Sequence, residues 1–230
     1  MKPYIFLSEN YLNNTVDGNN TAIDIRNISE EVPYSVDVYF TDMYGNPESR
    51  TIDTLILQDT NIKNLTLEAM GAGGTFSTLL TISGNTESTI IAKAATPAYS
   101  QAVRITIPEA GNPATVSAKI GIYGFICNLL ALTDSNYKIE ANEGNYRVVS
   151  GAYVHWADYK KWVGKVKMEN VTKAQFDALT AQADTGEMTV VPYTDLEANA
   201  IYECGVNREY SYELDRKTEL FSLELEFNEL

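Results

Sequence analysis

Apolar residues in this chain recur at every second position, in short runs, and that period excludes most helical folds at once. Val36, Val38 and Phe40 alternate with Asp37 and Tyr39; Leu65, Leu67 and Ala69 with Thr66 and Glu68; Val103, Ile105 and Ile107 with Arg104 and Thr106. Successive side chains of an extended strand point to opposite faces, so each run predicts a strand with one face in a core. Turn-forming clusters separate the runs: Tyr44-Gly45-Asn46-Pro47, Gly71-Ala72-Gly73-Gly74, Ser83-Gly84-Asn85 and the stretch from Pro108 to Pro113. Short strands at this spacing predict an antiparallel sandwich or barrel. Ile52 to Leu57 is a more continuous apolar run and reads as a central strand. Thr115 to Ile126 is the longest β-like run of this half and is expected to close its core.

After Leu132 the texture changes. Thr133-Asp134-Ser135-Asn136 is polar and reads as a linker. Tyr146 to Trp156 and Trp162 to Met168 read as strands, with Lys165 and Lys167 on the solvent side of the second. One helix follows, near residues 172–185, and its start is well marked. Thr172 is the expected N-cap, Gln175 its capping-box partner, and Val171 with Phe176 a hydrophobic staple. Phe176, Leu179 and Ala183 supply its buried stripe and Gly186 its C-terminal stop. Met188 to Tyr193 returns to strand. The chain ends with Phe221, Leu223, Leu225 and Phe227 alternating with Ser222, Glu224 and Glu226, a strand that has to sit on a core. The expected fold class is mainly β: a β-sandwich domain over residues 1–131, then a smaller β-rich α+β module with one helix over residues 132–230.

At 230 residues the chain is long enough to build a real core. Its 17 basic and 31 acidic residues give a net charge of −14. Such a field repels phosphates and anionic lipid, so nucleic acid is not an expected partner and membrane insertion is not expected. The first ten residues, MKPYIFLSEN, are too short an apolar stretch for a signal-peptide core, and no run approaches a membrane span. The chain therefore reads as soluble and not exported. Tyrosine, at 15 residues, is the compositional outlier and suits strands and interfaces.

Sequence motifs for chemistry are absent. His155 is the one histidine, which leaves no catalytic triad of the Ser-His-Asp kind and no multi-histidine metal site. Beside Trp156 on a strand it reads as a hydrogen-bonding residue. There is no nucleophile-elbow, zinc-protease, phosphate-loop or dinucleotide pattern. No catalytic residue, metal ligand or cofactor is expected, and no ligand-binding residue is marked. Cys127 and Cys204 lie far apart and form no metal spacing; two free, buried thiols are the expectation.

Two stretches of the first half resemble the discoidin-type, galactose-binding-like β-sandwich domains. Thr51 to Leu57 followed by Asn61 to Ala69 resembles their paired central strands, and Ala102 to Ile107 followed by Ala118 to Gly124 resembles their closing strands. Asn10-Tyr11-Leu12 sits where such domains begin. The resemblance covers about residues 4–126 and implies a jelly-roll sandwich of about eight strands. That family often has an acidic residue, helping to bind calcium, at the position matching Lys119; lysine there argues against calcium. The second half resembles, more loosely, C-terminal regions of phage tail and baseplate proteins. That pattern is a Trp-bearing strand pair (Trp156, Trp162), then Glu169 to Leu179, then the acidic Phe-Asn-Glu-Leu end.

The expected function is structural. The chain reads as a non-enzymatic component of a tailed-phage or prophage-derived virion, in the tail, tail tip or baseplate. It would be assembled in the host cytoplasm into a homo-oligomeric ring with other tail proteins. The alternative is a carbohydrate-binding module that adsorbs to a host-surface glycan. Aromatic residues exposed on sandwich-end loops would favour sugar binding, and Tyr-rich faces or extended termini would favour assembly. Tyr202, Tyr210 and Tyr212 can serve either.

Overall fold

The structure, a computed structural model, describes residues 2–42, 44–131, 136–147, 153–192 and 201–230. In chain order its strands are β1 (Lys2–Leu7), β2 (Thr15–Val16), β3 (Asn27–Glu31), β4 (Tyr34–Phe40), β5 (Arg50–Gln58) and β6 (Leu65–Met70). Next come β7 (Phe76–Ile82), β8 (Ile90–Ser100), β9 (Ala102–Ile107), β10 (Thr115–Tyr123), β11 (Phe125–Ala131) and β12 (Asn136–Arg147). The last elements are β13 (Tyr153–Val171), helix α1 (Lys173–Thr185), β14 (Glu187–Pro192), β15 (Tyr202–Val206), β16 (Ser211–Asp215) and β17 (Leu220–Glu229). The protein is mainly β, as its period-two sequence requires.

These elements form two compact units. One is Ser8–Phe125; the other joins Met1–Leu7 to Ile126–Leu230. Sequence reading placed residues 1–131 together, whereas the structure assigns both ends of that stretch to the other unit. The physical reason is strand pairing. β1 and β11 are neighbours in one sheet, and β1 also pairs antiparallel with β14, from Tyr4↔Pro192 to Leu7↔Thr189. The apolar text from Thr115 to Ala131 runs across the boundary and conceals it. Just before that boundary β10 and β11 are separated by Gly124 alone, where a Cβ would stand 2.8 Å from the Thr51 carbonyl oxygen and 2.9 Å from the Tyr11 hydroxyl. The polar linker expected at residues 133–136 lies almost wholly outside the described residues.

The unit Ser8–Phe125 is a sandwich of two antiparallel sheets, β3-β10-β5-β8 and β2-β4-β9-β6-β7. The alternating residues face inward as expected: Val38, Phe40, Leu67, Val103, Ile105 and Ile107 are buried, together with Leu55, Leu57, Ile120 and Ile122 of the opposite sheet. Asn10 is buried at its start and caps the 3-10 turn Tyr11–Asn13; its Oδ1 accepts from the amides of Leu12 and Ile122, both at 3.2 Å.

In the second unit the strand order is β12-β13-β11-β1-β14-β15-β17-β16, and β13 also pairs with β17. That extra pairing closes six strands, β13, β11, β1, β14, β15 and β17, into a ring, which is a small barrel without edges of its own. Tyr4, Phe6, Val166, Met168, Val190, Leu223, Leu225 and Phe227 fill its core. The terminal alternation thus lies where expected, with Phe227 and Leu225 fully buried. The helix starts with the expected capping box between Thr172 and Gln175 and stops at Gly186, whose φ of 92° suits glycine. Its Leu179 and Ala183 join the barrel core, while Phe176 stacks on Phe221 at 4.3 Å between ring centroids.

Two sequence-expected strands differ in extent. Residues 146–156 and 162–168 read as two strands, but β13 runs unbroken from Tyr153 to Val171, through the charged stretch Asp158 to Lys161. Its hairpin partner β12 covers the residues before Arg147. Pairing with β12 supplies the backbone hydrogen bonds that the polar stretch would otherwise have found in water.

Candidate functional site

The outward face of the five-stranded sheet carries polar and aromatic side chains in register. On β4 and β9, Ser35 lies opposite Thr106, Asp37 opposite Arg104 and Tyr39 opposite Ala102. On the other side of β9, Thr106 faces Thr66 and Arg104 faces Glu68 of β6. Met70 of β6 is paired with Phe76 of β7. The alternation that buries Val38, Leu67, Val103 and Ile105 therefore presents Asp37, Glu68 and Arg104 as one row across three strands.

Arg104 is the centre of this face. Its Nε donates to Asp37 Oδ1 at 2.6 Å and its Nη2 to Asp37 Oδ2 at 2.8 Å, a bidentate pair that fixes the guanidinium plane. The same guanidinium stands 4.2 Å from the centroid of the Phe76 ring, within cation–π range. The hydrogen bonds from Arg104 to Asp37 raise its pKa further. Glu68 is half-buried beside it and makes no salt bridge among the described residues.

A loop from Asp17 to Thr21 forms the wall of the site. The Asp17 carboxylate accepts from the amides of Asn19 at 2.8 Å and Thr21 at 2.9 Å, and these backbone donors, Thr21 foremost, hold its pKa below the ordinary value. The loop, the sheet face and Glu68 together enclose a broad, open hollow of about 690 Å³. On the other side of Asp17 and Gly18 lies a smaller hollow of about 230 Å³, lined by Tyr39, Pro47, Met70 and Gln101. Three carboxylates and one guanidinium line the larger hollow, so its field is acidic. It offers oxygen acceptors, the Ser35 and Thr106 hydroxyls and the Arg104 guanidinium, a set able to engage a polyhydroxylated ligand.

Two tyrosines stand far out of the same unit. Tyr44, in the turn Asp42 to Asn46, is 81% exposed, and Tyr99, near the end of β8, is 76% exposed. Asp42 shapes that turn by accepting from the amides of Tyr44 and Asn46.

Other residues singled out in the sequence lie elsewhere. Lys119 pairs with Asp59 at 2.7 Å on the surface, and no cluster of metal-ligating side chains occurs among the described residues. Cys127 and Cys204 are buried free thiols; burial pushes Cys127 up to about 12 and Cys204 higher still. The His155 side chain lies outside the described residues. Tyr202 and Tyr210 pack against the barrel core, whereas Tyr212 is 57% exposed. Sequence reading marked none of Asp37, Glu68, Phe76 or Arg104 as site residues. The available signal was a charged residue at the outward position of three different strands, which becomes a row only once the register is known.

No protein family matches the sequence, and no curated protein does. Among solved structures the chain is similar to the family 32 carbohydrate-binding module of Streptococcus pneumoniae EndoD. That match has 17% identity and a TM-score of 0.35, covering 43% of this chain and 75% of that one. It is also similar to CpGH89CBM32-5 from Clostridium perfringens, in complex with GalNAc-β-1,3-galactose. There the identity is 16% and the TM-score 0.34, over 53% of this chain and 94% of that one. A third similar structure is the family 32 module of Clostridium perfringens NanJ in complex with galactose, at 17% identity and a TM-score of 0.32. It covers 52% of this chain and 91% of that one.

Proposed function

We propose that the sandwich unit is a carbohydrate-binding module and that its open sheet face, centred on Arg104, holds the sugar. The observation that carries this reading is the placement of Arg104 between Asp37 and the Phe76 ring, at the floor of a hollow of about 690 Å³. A guanidinium held in plane by one carboxylate still has donors for sugar hydroxyls, while Glu68 and Asp17 supply acceptors. The hollow is open and polar, which suits a glycan chain lying across strands better than a small apolar molecule sunk in a pocket. The exposed Tyr44, in its turn, adds an aromatic face of the kind that favours sugar over protein at a sandwich end. The acidic lining selects neutral or cationic sugars over sialylated or uronic ones. The reading is one of binding and includes no catalytic step.

Titration of the full chain against a panel of neutral oligosaccharides tests it. Binding by the unsubstituted chain, weakened at least tenfold by Arg104→Ala and by Phe76→Ala, is the expected result. Affinity unchanged by both substitutions would move the sugar off this face, and no binding to any glycan would remove the reading.

A second reading, that the chain is a structural part of a phage tail, is favoured by one backbone feature of the barrel unit. Among the described residues, β12 from Ala141 to Arg147 and β13 from Tyr153 to Lys160 pair with each other and with no third strand. A two-stranded ribbon alone is marginally stable in water, so a ribbon of this length calls for a neighbour. In this reading the barrel assembles and the sandwich reads the host glycan. Mass spectrometry of purified particles tests it, with fixed stoichiometry expected; absence from particles overturns it.

A further inference from the structure

We infer that β16 is a docking edge for an extended segment of another protein, one that alternates apolar and basic residues and joins the sheet as an added strand. The inference rests neither on glycan binding nor on membership of a particle.

β16 is the last strand of the eight-stranded order. It pairs with β17 in unbroken register, from Ser211↔Glu224 to Asp215↔Leu220, and among the described residues no strand lies on its other side. All five of its residues are exposed. Natural proteins usually blunt such an edge with lysine, proline or a bulge, and Ser211-Tyr212-Glu213-Leu214-Asp215 has none of these. Its outer backbone donors and acceptors are open to an incoming strand. In that mode of recognition the main chain supplies affinity and alternate side chains supply specificity.

The two faces of β16 differ, and the difference sets the chemistry of the partner. On one face Tyr212 and Leu214 lie opposite Leu223 and Phe221 of β17. Tyr212 is 57% exposed and Leu214 48% exposed. The Tyr212 ring stands 5.1 Å from Phe176, which itself stacks on Phe221, so the aromatic cluster of the barrel continues outward as an apolar ledge. Side chains of an added strand on this face would extend the ledge, and apolar ones gain most from doing so.

On the other face Glu213 borders a hollow of about 390 Å³ that Lys167, Glu169, Ser222 and Glu224 also line. Glu224 is engaged by Lys165 and Lys167, whereas Glu169 and Glu213 make no salt bridge among the described residues. Three carboxylates against one ammonium call for basic side chains on this side of the added strand. The net charge points the same way. At −14 the chain repels a second copy of itself and draws in a basic partner.

The test uses the full chain and short blocked peptides. A peptide alternating valine with lysine should bind and should slow amide exchange at residues 211–215. Added salt should weaken it. A peptide of the same composition with its valines and lysines in separate blocks should bind at least tenfold more weakly, which separates strand addition from attraction to net charge. The alternating peptide with glutamate in place of lysine should not bind. Glu213→Lys, at an exposed position, should weaken binding at least tenfold with the thermal melt unchanged; the exchange measurement on the unsubstituted chain stands even if that variant misfolds. No slowing at residues 211–215, or equal binding of the block or glutamate peptide, overturns the inference. So does exchange at residues 211–215 that slows with concentration of the chain alone, because the occupant would then be a second copy.

Discussion

Asp37 and Arg104 sit directly opposite each other on β4 and β9, and the register of that pair is what places a charged clamp in the middle of a sheet face. Slipping β9 by one residue would send Arg104 into the core and Val103 into water. The burial of Val103, Ile105 and Ile107 therefore holds Arg104 in place from below, while Asp37 orients it from above. Site geometry and core packing are two readings of one alternation.

The clamp should matter for binding far more than for folding. Both partners are about one-third exposed, a setting in which ion pairs contribute little to stability. Asp37→Asn should leave the thermal melt nearly unchanged while weakening glycan binding severalfold, because the guanidinium loses its fixed plane. Parallel calorimetry of melting and of binding checks both halves.

The barrel should be sensitive at its last strand. Leu225 and Phe227 are fully buried, and β17 is held by β13 on one side and by β15 and β16 on the other. Leu225→Ala should cost about 2–5 kcal/mol, measured by denaturant titration. Deleting residues 219–230 should open the closed ring of strands and give insoluble or partly unfolded protein.

Thr172 carries the start of the helix. Its hydroxyl accepts from the Gln175 amide while the Gln175 side chain accepts from the Thr172 amide at 3.0 Å. Thr172→Ala should destabilise by about 1 kcal/mol, and Thr172→Ser by much less. Chemical denaturation of the two variants separates the cap from mere loss of side-chain bulk.

The thiols should be inert while the chain is folded. Burial raises both cysteines, Cys127 to about 12, so neither forms thiolate at pH 8. A thiol reagent at that pH should label the native protein slowly and the denatured protein twice per chain. A raised thiol pKa also has a sign in stability: it disfavours the charged form in the folded state. Stability should therefore fall as pH rises above the ordinary thiol value of about 9, where the unfolded chain sheds these protons and the folded chain retains them. Cys127→Ser should flatten that alkaline loss in melts recorded between neutral pH and pH 10.

Much of the secondary structure was readable because it follows from local rules. Val36 to Phe40 and Phe221 to Phe227 declare strands through alternation, and Thr172 with Gln175 declares a helix start through capping. Lys2–Leu7 was not recognised as a strand of the second unit, because its partner Pro192 lies far along the chain and nothing near it signals the pairing. Nor did the sequence show that Asp37, Glu68 and Arg104 share one row. That depends on how three strands align, which is set by side chains on the buried face. The ribbon was hidden for a related reason: the charged Asp158 to Lys161 interrupts the apolar pattern between Trp156 and Trp162, and its continuity shows only once β12 is seen to lie beside it.

The sandwich leaves the barrel after Leu7 and the chain returns at Ile126, between two strands that are neighbours, and the two junctions are tied together. The Ser8 amide donates to the Gly124 carbonyl and the Gly124 amide to the Ser8 hydroxyl, both at 2.9 Å. A passenger domain whose ends meet on adjacent strands can be gained or lost in evolution by an exchange at one locus, with a hairpin of a few residues left behind as the scar. By the same token residues 8–125 should fold when expressed alone, whereas residues 132–230 should not, since they lack two staves of their own barrel. The sandwich is thus a replaceable insert, and the barrel a frame completed only when β1 finds β11 and β14.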